Sequence, residues 1–317
     1  MAKRLLGNSG LSIEPLVLGT NVFGWTIDEK TSFQILDAFV DSGFSAIDTA
    51  DVYSAWAPGN TGGESEIIIG NWLKANPSKR DNVLIFTKVG FDVGLPEKGL
   101  SRQWIMKAVD NSLKRLQIET IDLYQSHAYD ADTPHEETLS AYAELIQAGK
   151  IRKIGCSNFT ADQLSEALRI SSEQSLPRYE SVQPEYNLHN RKIFEGALQE
   201  RVVEENIGVI SYYGLAAGFL TGKYRSKVDL GKSKRGSSVE RYLDERGLRI
   251  LDALDAVSNE LGVKPAEAAI AWIIAQKGIT APISSATSLS QLESLVRAAR
   301  LTLPSEALHR LNDASAY

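Results

Sequence analysis

Val83-Leu84-Ile85-Phe86-Thr87-Lys88 is an apolar run of strand length that stops on an ammonium. A lysine closing a buried strand needs a partner, because a charge at that depth is costly unless paired. Two other runs end in the same manner. Phe44-Ser45-Ala46-Ile47 leads to Asp48, with Tyr53 shortly downstream, and Ile121-Asp122-Leu123-Tyr124-Gln125-Ser126 leads to His127. If these runs are neighbouring parallel strands, Asp48, Tyr53, Lys88 and His127 converge on one face. That face is where barrels of alternating strands and helices keep their chemistry.

Outward from these runs the alternation continues. Strands are expected at Leu16 to Thr20, Ser45 to Asp48, Val83 to Lys88, Ile121 to Ser126, Ile151 to Cys156, Ser181 to Pro184, Gly208 to Tyr212 and Thr280 to Ile283. Helical spacing fills the intervals, for example Ile105, Val109 and Leu116 after the N-cap candidate Ser101. Helices are also expected near Arg191 to Glu205, Glu240 to Leu261, Pro265 to Lys277, Leu289 to Arg300 and Ser305 to Ala314, with a polar loop from Arg225 to Ser238. Eight strands with intervening helices predict a single (β/α)8 TIM barrel over residues 1–317, with extra C-terminal helices. No Gly-x-Gly-x-x-Gly follows the first strand, so the doubly wound dinucleotide fold lacks its fingerprint. Leu5-Leu6-Gly7 and Leu11-Ser12-Ile13 around Asn8-Ser9-Gly10 read as a short N-terminal β-hairpin plugging the bottom of the barrel.

The 317 residues are 43% hydrophobic and 23% charged, with a formal net charge of −6, a balance that favours neither nucleic acid nor an anionic membrane as partner. A lone cysteine, Cys156, forms no internal disulfide, and no Cys/His group has metal-ligand spacing, so no metal is expected. Met1 to Gly7 carries charge without a following apolar segment, and no stretch approaches the roughly 20 apolar residues of a spanning helix. A cytoplasmic protein acting on a small molecule is the expectation.

The chemistry of the four residues fits reduction of a carbonyl by hydride. Charge develops on the oxygen, which needs a proton donor, and Tyr53 is the candidate. A free phenol titrates near pH 10; bringing it to neutrality would take ~3 units, or ~4 kcal/mol, which Lys88 is expected to supply while Asp48 keeps the ammonium charged and in place. His127 would orient the carbonyl or share in proton relay.

Ala46-Ile47-Asp48-Thr49-Ala50-Asp51-Val52-Tyr53, Phe86-Thr87-Lys88, Leu123 to His127, Gly149 to Phe159 and Leu220-Thr221-Gly222-Lys223-Tyr224 together resemble the aldo-keto reductases, in order, from about residue 4 to residue 310. Within that family the chain is most similar to bacterial members and to potassium-channel β subunits. The resemblance implies that Ser157, Asn158 and Gln183 hold a nicotinamide carboxamide, that Tyr212 stacks on the ring, and that Gly19, Thr20 and Asn21 lie close to the cofactor. It further implies that Leu215, Gly218, Lys223 and Arg235 follow the pyrophosphate, and that Thr287 and Gln291 meet the phosphate and adenosine.

The chain leaves the family pattern after the last strand. Ser288 stands where an arginine often meets the 2′-phosphate, and Ser294-Leu295 stands for Glu-Asn at the adenine. Thr287-Ser288 at the start of the following helix still offers hydroxyls and backbone N–H groups to a phosphate, so NADP(H) remains the leading cofactor expected, with NAD(H) the alternative. Phe23, Trp25, Trp56, Phe91, Tyr129 and Tyr213 are expected to line an aromatic substrate mouth, with Trp56 in a mobile-looking loop from Ser54 to Gly63.

Two other functions fit parts of the pattern. A cofactor-sensing regulatory subunit would share the fold and the four residues; a long partner-binding N-terminal extension would favour it, whereas strand material here begins within the first few residues. A barrel aldolase with Lys88 as Schiff base would leave Tyr212 and Ser157-Asn158 without a role.

Overall fold

The computed structural model describes residues 2–94, 98–232 and 236–317. Eight parallel strands close on themselves: β3 (Val17–Gly19), β4 (Ala46–Asp48), β5 (Leu84–Val89), β6 (Ile121–Ser126), β7 (Ile151–Ser157), β8 (Ser181–Gln183), β9 (Gly208–Ser211) and β10 (Ala281–Ser284). Closure is made by β10 pairing with β3 on one side and β9 on the other. Around the barrel run α1 (Glu29–Asp41), α2 (Glu64–Ala75), α3 (Arg102–Leu116), α4 (His135–Gln147), α5 (Ala161–Gln174), α6 (Ala197–Glu204), α7 (Glu245–Leu261), α8 (Pro265–Ile274), α9 (Leu289–Arg300) and α10 (Ser305–Ala314). This is the expected (β/α)8 barrel. None of the described helices is long and apolar enough to cross a membrane.

The larger differences from the sequence reading lie at three places. The helix expected from Arg191 begins only at Ala197, because Gly196 takes φ 95° and ψ −130°, outside helical space. The helix expected from Glu240 begins at Glu245. There Asp244 accepts a hydrogen bond from the Gly247 N–H at 2.6 Å, and the preceding Gly236–Tyr242 is 3-10. The polar loop is partly ordered into a 3-10 turn, Lys227–Lys232.

The hairpin β1 (Arg4–Leu5) and β2 (Ser12–Ile13) pairs antiparallel and closes the barrel floor. Its residues Leu6, Leu11 and Ile13 pack with Val17, Ala46, Phe86, Leu123, Ile210 and Ala281 in one inner apolar cluster. Contact is close enough that a Cβ on Gly208 would lie 2.4 Å from Leu6 Cδ1, so β9 requires glycine at that point.

Side-chain alternation along the strands then sets the next layer up. Asp48 stands one pleat above Ala46, Lys88 above Phe86 and Gln125 above Leu123, all on the inner side. The inner column is thus apolar below and polar at its top.

Behind β5 lies a second buried polar group. Glu66 on α2 accepts from Thr87 Oγ1 at 2.6 Å and from Arg115 Nε at 2.7 Å, tying α2 to the strand and to α3. Asp51 beside it keeps a buried Oδ1 with no hydrogen-bond partner. Burial, with the like charge of Glu66, raises the Asp51 carboxyl from 3.8 to about 8.

Two stability predictions follow from these layers. Leu6→Ala should cost ~2–5 kcal/mol in denaturant unfolding, since Leu6 is fully buried under the barrel; a loss below 1 kcal/mol would mean the hairpin is no structural plug. For Asp51, the folded chain holds a proton that the unfolded chain has released between pH 4 and 8, so stability falls as pH rises through that window. Asp51→Asn should gain melting temperature relative to wild type from pH 5 to pH 8.5. A difference constant over pH would remove Asp51 as the titrating group.

Candidate functional site

At the polar top of the barrel, Lys88 Nζ donates to Asp48 Oδ2 at 2.6 Å, to the Thr49 carbonyl at 2.8 Å and to Tyr53 Oη at 2.9 Å. Three acceptors match the three N–H bonds of an ammonium. Asp48 in turn accepts from Gln183 Nε2 at 3.1 Å and Gln125 Nε2 at 3.3 Å, and from Tyr53 Oη at 3.4 Å. Both charges of the ion pair are fully buried.

Asp48 and Lys88 therefore stand behind the wall of the cavity, and Tyr53 and His127 form part of its lining. Lys88 has no free N–H and no opening to the cavity, an arrangement unsuited to attack on a carbonyl as a Schiff-base lysine. The Tyr53 phenol oxygen thus accepts from Lys88 at 2.9 Å, while its own hydroxyl has only the long 3.4 Å contact to Asp48 Oδ2.

The electrostatics differ from expectation at Tyr53. Burial raises its pKa well above 10, and the nearby Asp48 carboxylate acts in the same direction. Lys88, lowered by its own burial and raised by Asp48, is already paired, so its field at the phenol is offset by the carboxylate. Tyr53 thus stays protonated through the neutral range, where the sequence argument had its pKa brought down. His127 is held well below its usual value by burial and by Lys88, so it is a neutral imidazole, and its Nδ1 is buried without a partner. Its ring lies 6.0 Å from that of Tyr53 and 4.7 Å from that of Phe91.

A cavity of about 1070 Å³ opens over this layer. Of the residues expected around a nicotinamide nucleotide, Gly19, Asn21, Ser157, Asn158, Gln183, Tyr212, Leu215, Gly218, Lys223, Thr287 and Gln291 line it. Asn158, in left-handed conformation at φ 58°, donates to the His127 carbonyl at 2.9 Å and accepts from Tyr212 Oη at 2.7 Å, fixing both aromatic walls. Gly19 is needed at its strand tip because a Cβ there would lie 2.9 Å from Ser285 Oγ. Amide and hydroxyl donors around Tyr53 and three lysines elsewhere on the wall suit a long anionic ligand with a polar, uncharged head.

Several expectations are corrected. Thr20 is fully buried below the cavity, its hydroxyl donating to the Asp48 carbonyl at 2.8 Å. Phe23 is core, also fully buried; Val22 beside it faces the cavity instead. Tyr129 lies outside, packed on His135 and Phe159. Trp25 supports the mouth from behind, edge-on to Trp56 at 5.8 Å, while Trp56, Phe91 and Tyr213 do line it. The loop after Tyr53 is tied down: Ser54 Oγ donates to the Phe23 carbonyl, and Asn60 Nδ2 to those of Gly24 and Ser54. Ser288 caps α9 by accepting from the Gln291 N–H at 3.3 Å, and the Thr287 N–H and hydroxyl both donate to Gln291 Oε1. Arg235 lies outside the described residues.

Gln125, Lys232, Lys264 and Ser285 were missed by sequence reasoning. Gln125 was accessible through strand alternation from Leu123. The others come from loops and helix ends whose approach no local pattern encodes.

The model of the Aldo/keto reductase family matches residues 15–316. An uncharacterized oxidoreductase, YrpG, of Bacillus subtilis (strain 168) is 34% identical over 315 residues, covering 97% of this chain and 94% of that protein. The L-glyceraldehyde 3-phosphate reductase of Escherichia coli O157:H7 is 31% identical over 323 residues, covering 98% and 92%. A probable voltage-gated potassium channel subunit beta of Oryza sativa subsp. japonica is 32% identical over 300 residues, covering 92% and 89%. Proteins named as oxidoreductases and as a probable channel subunit thus match this chain along nearly their whole length, and the present chain belongs to the aldo/keto reductase family.

Proposed function

We propose that this protein reduces an aldehyde or ketone to an alcohol, with Tyr53 as the general acid and a nicotinamide nucleotide, preferentially NADP(H), as cofactor. The observation that carries the reading is Tyr53 on the cavity wall with its phenol oxygen accepting the Lys88 N–H at 2.9 Å, so that a phenolate formed there would meet an ammonium already in place. When bound, the cofactor would supply hydride. Ser157, Asn158, Gln183 and Tyr212 would hold its carboxamide end, and Lys223, Thr287 and Gln291 its phosphates and adenosine.

The protein groups then divide the work. His127, neutral and beside Tyr53, orients the carbonyl oxygen toward the phenol without adding charge. Tyr53 delivers its proton to that oxygen as negative charge develops there. Lys88 stabilises the resulting phenolate through the same short bond, and Asp48 keeps Lys88 oriented. Phe91, Trp56 and Tyr213 shield the step from water on the outer side.

Spectrophotometric assay of NADPH and NADH oxidation against panels of aldehydes, ketones and sugars tests the activity. Tyr53→Phe should retain nucleotide binding and lose at least ~100-fold in kcat; near-normal turnover in the folded variant would sink the assignment. Lys88→Met should lose a comparable factor, since it removes the charge that receives the phenolate and strands Asp48 as a buried carboxylate. If the variant merely shifted its optimum to lower pH, Lys88 would have another role.

A further inference from the structure

The charged side chains lining the cavity, among the described residues, are Lys223, Lys232 and Lys264. Two of these belong to the segment after β9 and are engaged there. Lys232 Nζ donates to the Lys223 carbonyl at 2.9 Å and pairs with Asp229 at 2.7 Å, and Lys223 Nζ sits 5.0 Å from the Tyr224 ring centre. Lys264 arrives from a different wall. It precedes Pro265 at the start of α8, is exposed, and makes no side-chain ion pair with a described residue.

The carboxylate nearest to Lys264 in its own turn is not available to it. Glu267 Oε1 accepts from Ser294 Oγ at 2.7 Å and from Arg297 Nη2 at 2.7 Å, while Oε2 accepts the Lys264 backbone N–H at 3.2 Å. Burial alone would raise the Glu267 carboxyl, but these bonds hold it below its usual value and ionised, balanced by Arg297. The Glu267 bridge also fixes where Lys264 stands. It ties the first turn of α8 to Ser294 of α9, so that Lys264, Pro265 and Ala266 share the cavity wall with Ser290, Gln291, Ser294 and Leu295.

This end of the cavity lies outside β9 and β10, across the barrel from β5 and β6, whose tips carry Lys88 and lead to His127. The first turn of α9 offers only uncharged groups there: Ser288 is engaged as cap, and Gln291 is engaged by Thr287. An ammonium on the same cavity wall as an uncharged, hydroxyl-bearing helix start suits a phosphate monoester.

We propose that Lys264 binds the 2′-phosphate of NADP(H) and sets the preference for it over NAD(H), in place of a cation at Ser288. The inference rests on the nicotinamide-dependent reading above. It names a cation at the N-cap of α8, whereas the sequence has only Ser288 where an arginine often meets that phosphate.

Dissociation constants for NADPH and NADH, measured on the whole chain by tryptophan-fluorescence titration at low and high salt, test it without any turnover. Lys264→Gln should weaken NADPH about tenfold, leave NADH unchanged, and flatten the salt dependence of NADPH binding. Lys264→Arg should retain most of the affinity. Calorimetry with 2′,5′-ADP against 5′-AMP should give the same contrast, the two probes differing at the 2′-phosphate. Equal weakening of both dinucleotides, an unchanged NADPH constant, or loss of discrimination in Arg235→Gln instead would each overturn the assignment of Lys264. If wild-type protein bound neither dinucleotide, the nicotinamide reading itself would fall; tight binding with an unchanged preference in Lys264→Gln overturns only the present inference.

Discussion

An ammonium removed from water must find an acceptor for every N–H and a counter-charge within bonding distance, and the Lys88–Asp48 pair at the top of the barrel meets both conditions. Neither partner is reachable by solvent, so loss of either leaves an uncompensated buried charge. Asp48 is further held by amides of Gln125 and Gln183, so that strands β4, β5, β6 and β8 are cross-linked by one polar layer. That layer is stable only because everything beneath it is apolar and filled. Phe86, Leu123 and Ala46 pack below, and the hairpin residues Leu6, Leu11 and Ile13 close the floor.

The same pair determines how the cavity is charged. A lone lysine next to a phenol would pull its proton off; a lysine already neutralised by a carboxylate does not, and burial then keeps the phenol protonated. Burial acts on His127 in the complementary sense, keeping the imidazole neutral. The inner end of the cavity is consequently a set of neutral hydrogen-bonding groups resting on a concealed ion pair. The lysines of the lining lie instead on the loop after β9 and at the start of α8.

The aromatic mouth shows a similar division between support and contact. Trp25 backs Trp56, and Phe23 supplies the carbonyl that anchors Ser54, so the loop carrying Trp56 is fastened by its neighbour across the barrel rim. Tyr213 occupies a left-handed conformation at φ 58° and leans on Tyr212, whose hydroxyl is tied to Asn158.

Much of this architecture is legible in the chain alone, because hydrophobic periodicity is local. The run from Val83 to Phe86 announces a parallel strand by being apolar on both faces, and the polar residues that end such runs announce the site. Order along the chain then brings Asp48, Tyr53, Lys88 and His127 to one end. What the sequence by itself could not determine is the balance of forces among groups distant in the chain. The pKa direction of Tyr53 depends first on how deeply the phenol is buried and then on how near Asp48 lies to it; the burial of Thr20 and Phe23 depends on which way a loop turns after β3; the presence of Lys264 on the cavity wall depends on Glu267 tying α8 to Ser294, 27 residues later. Each is a through-space distance fixed by packing, and no local pattern of residues carries that information.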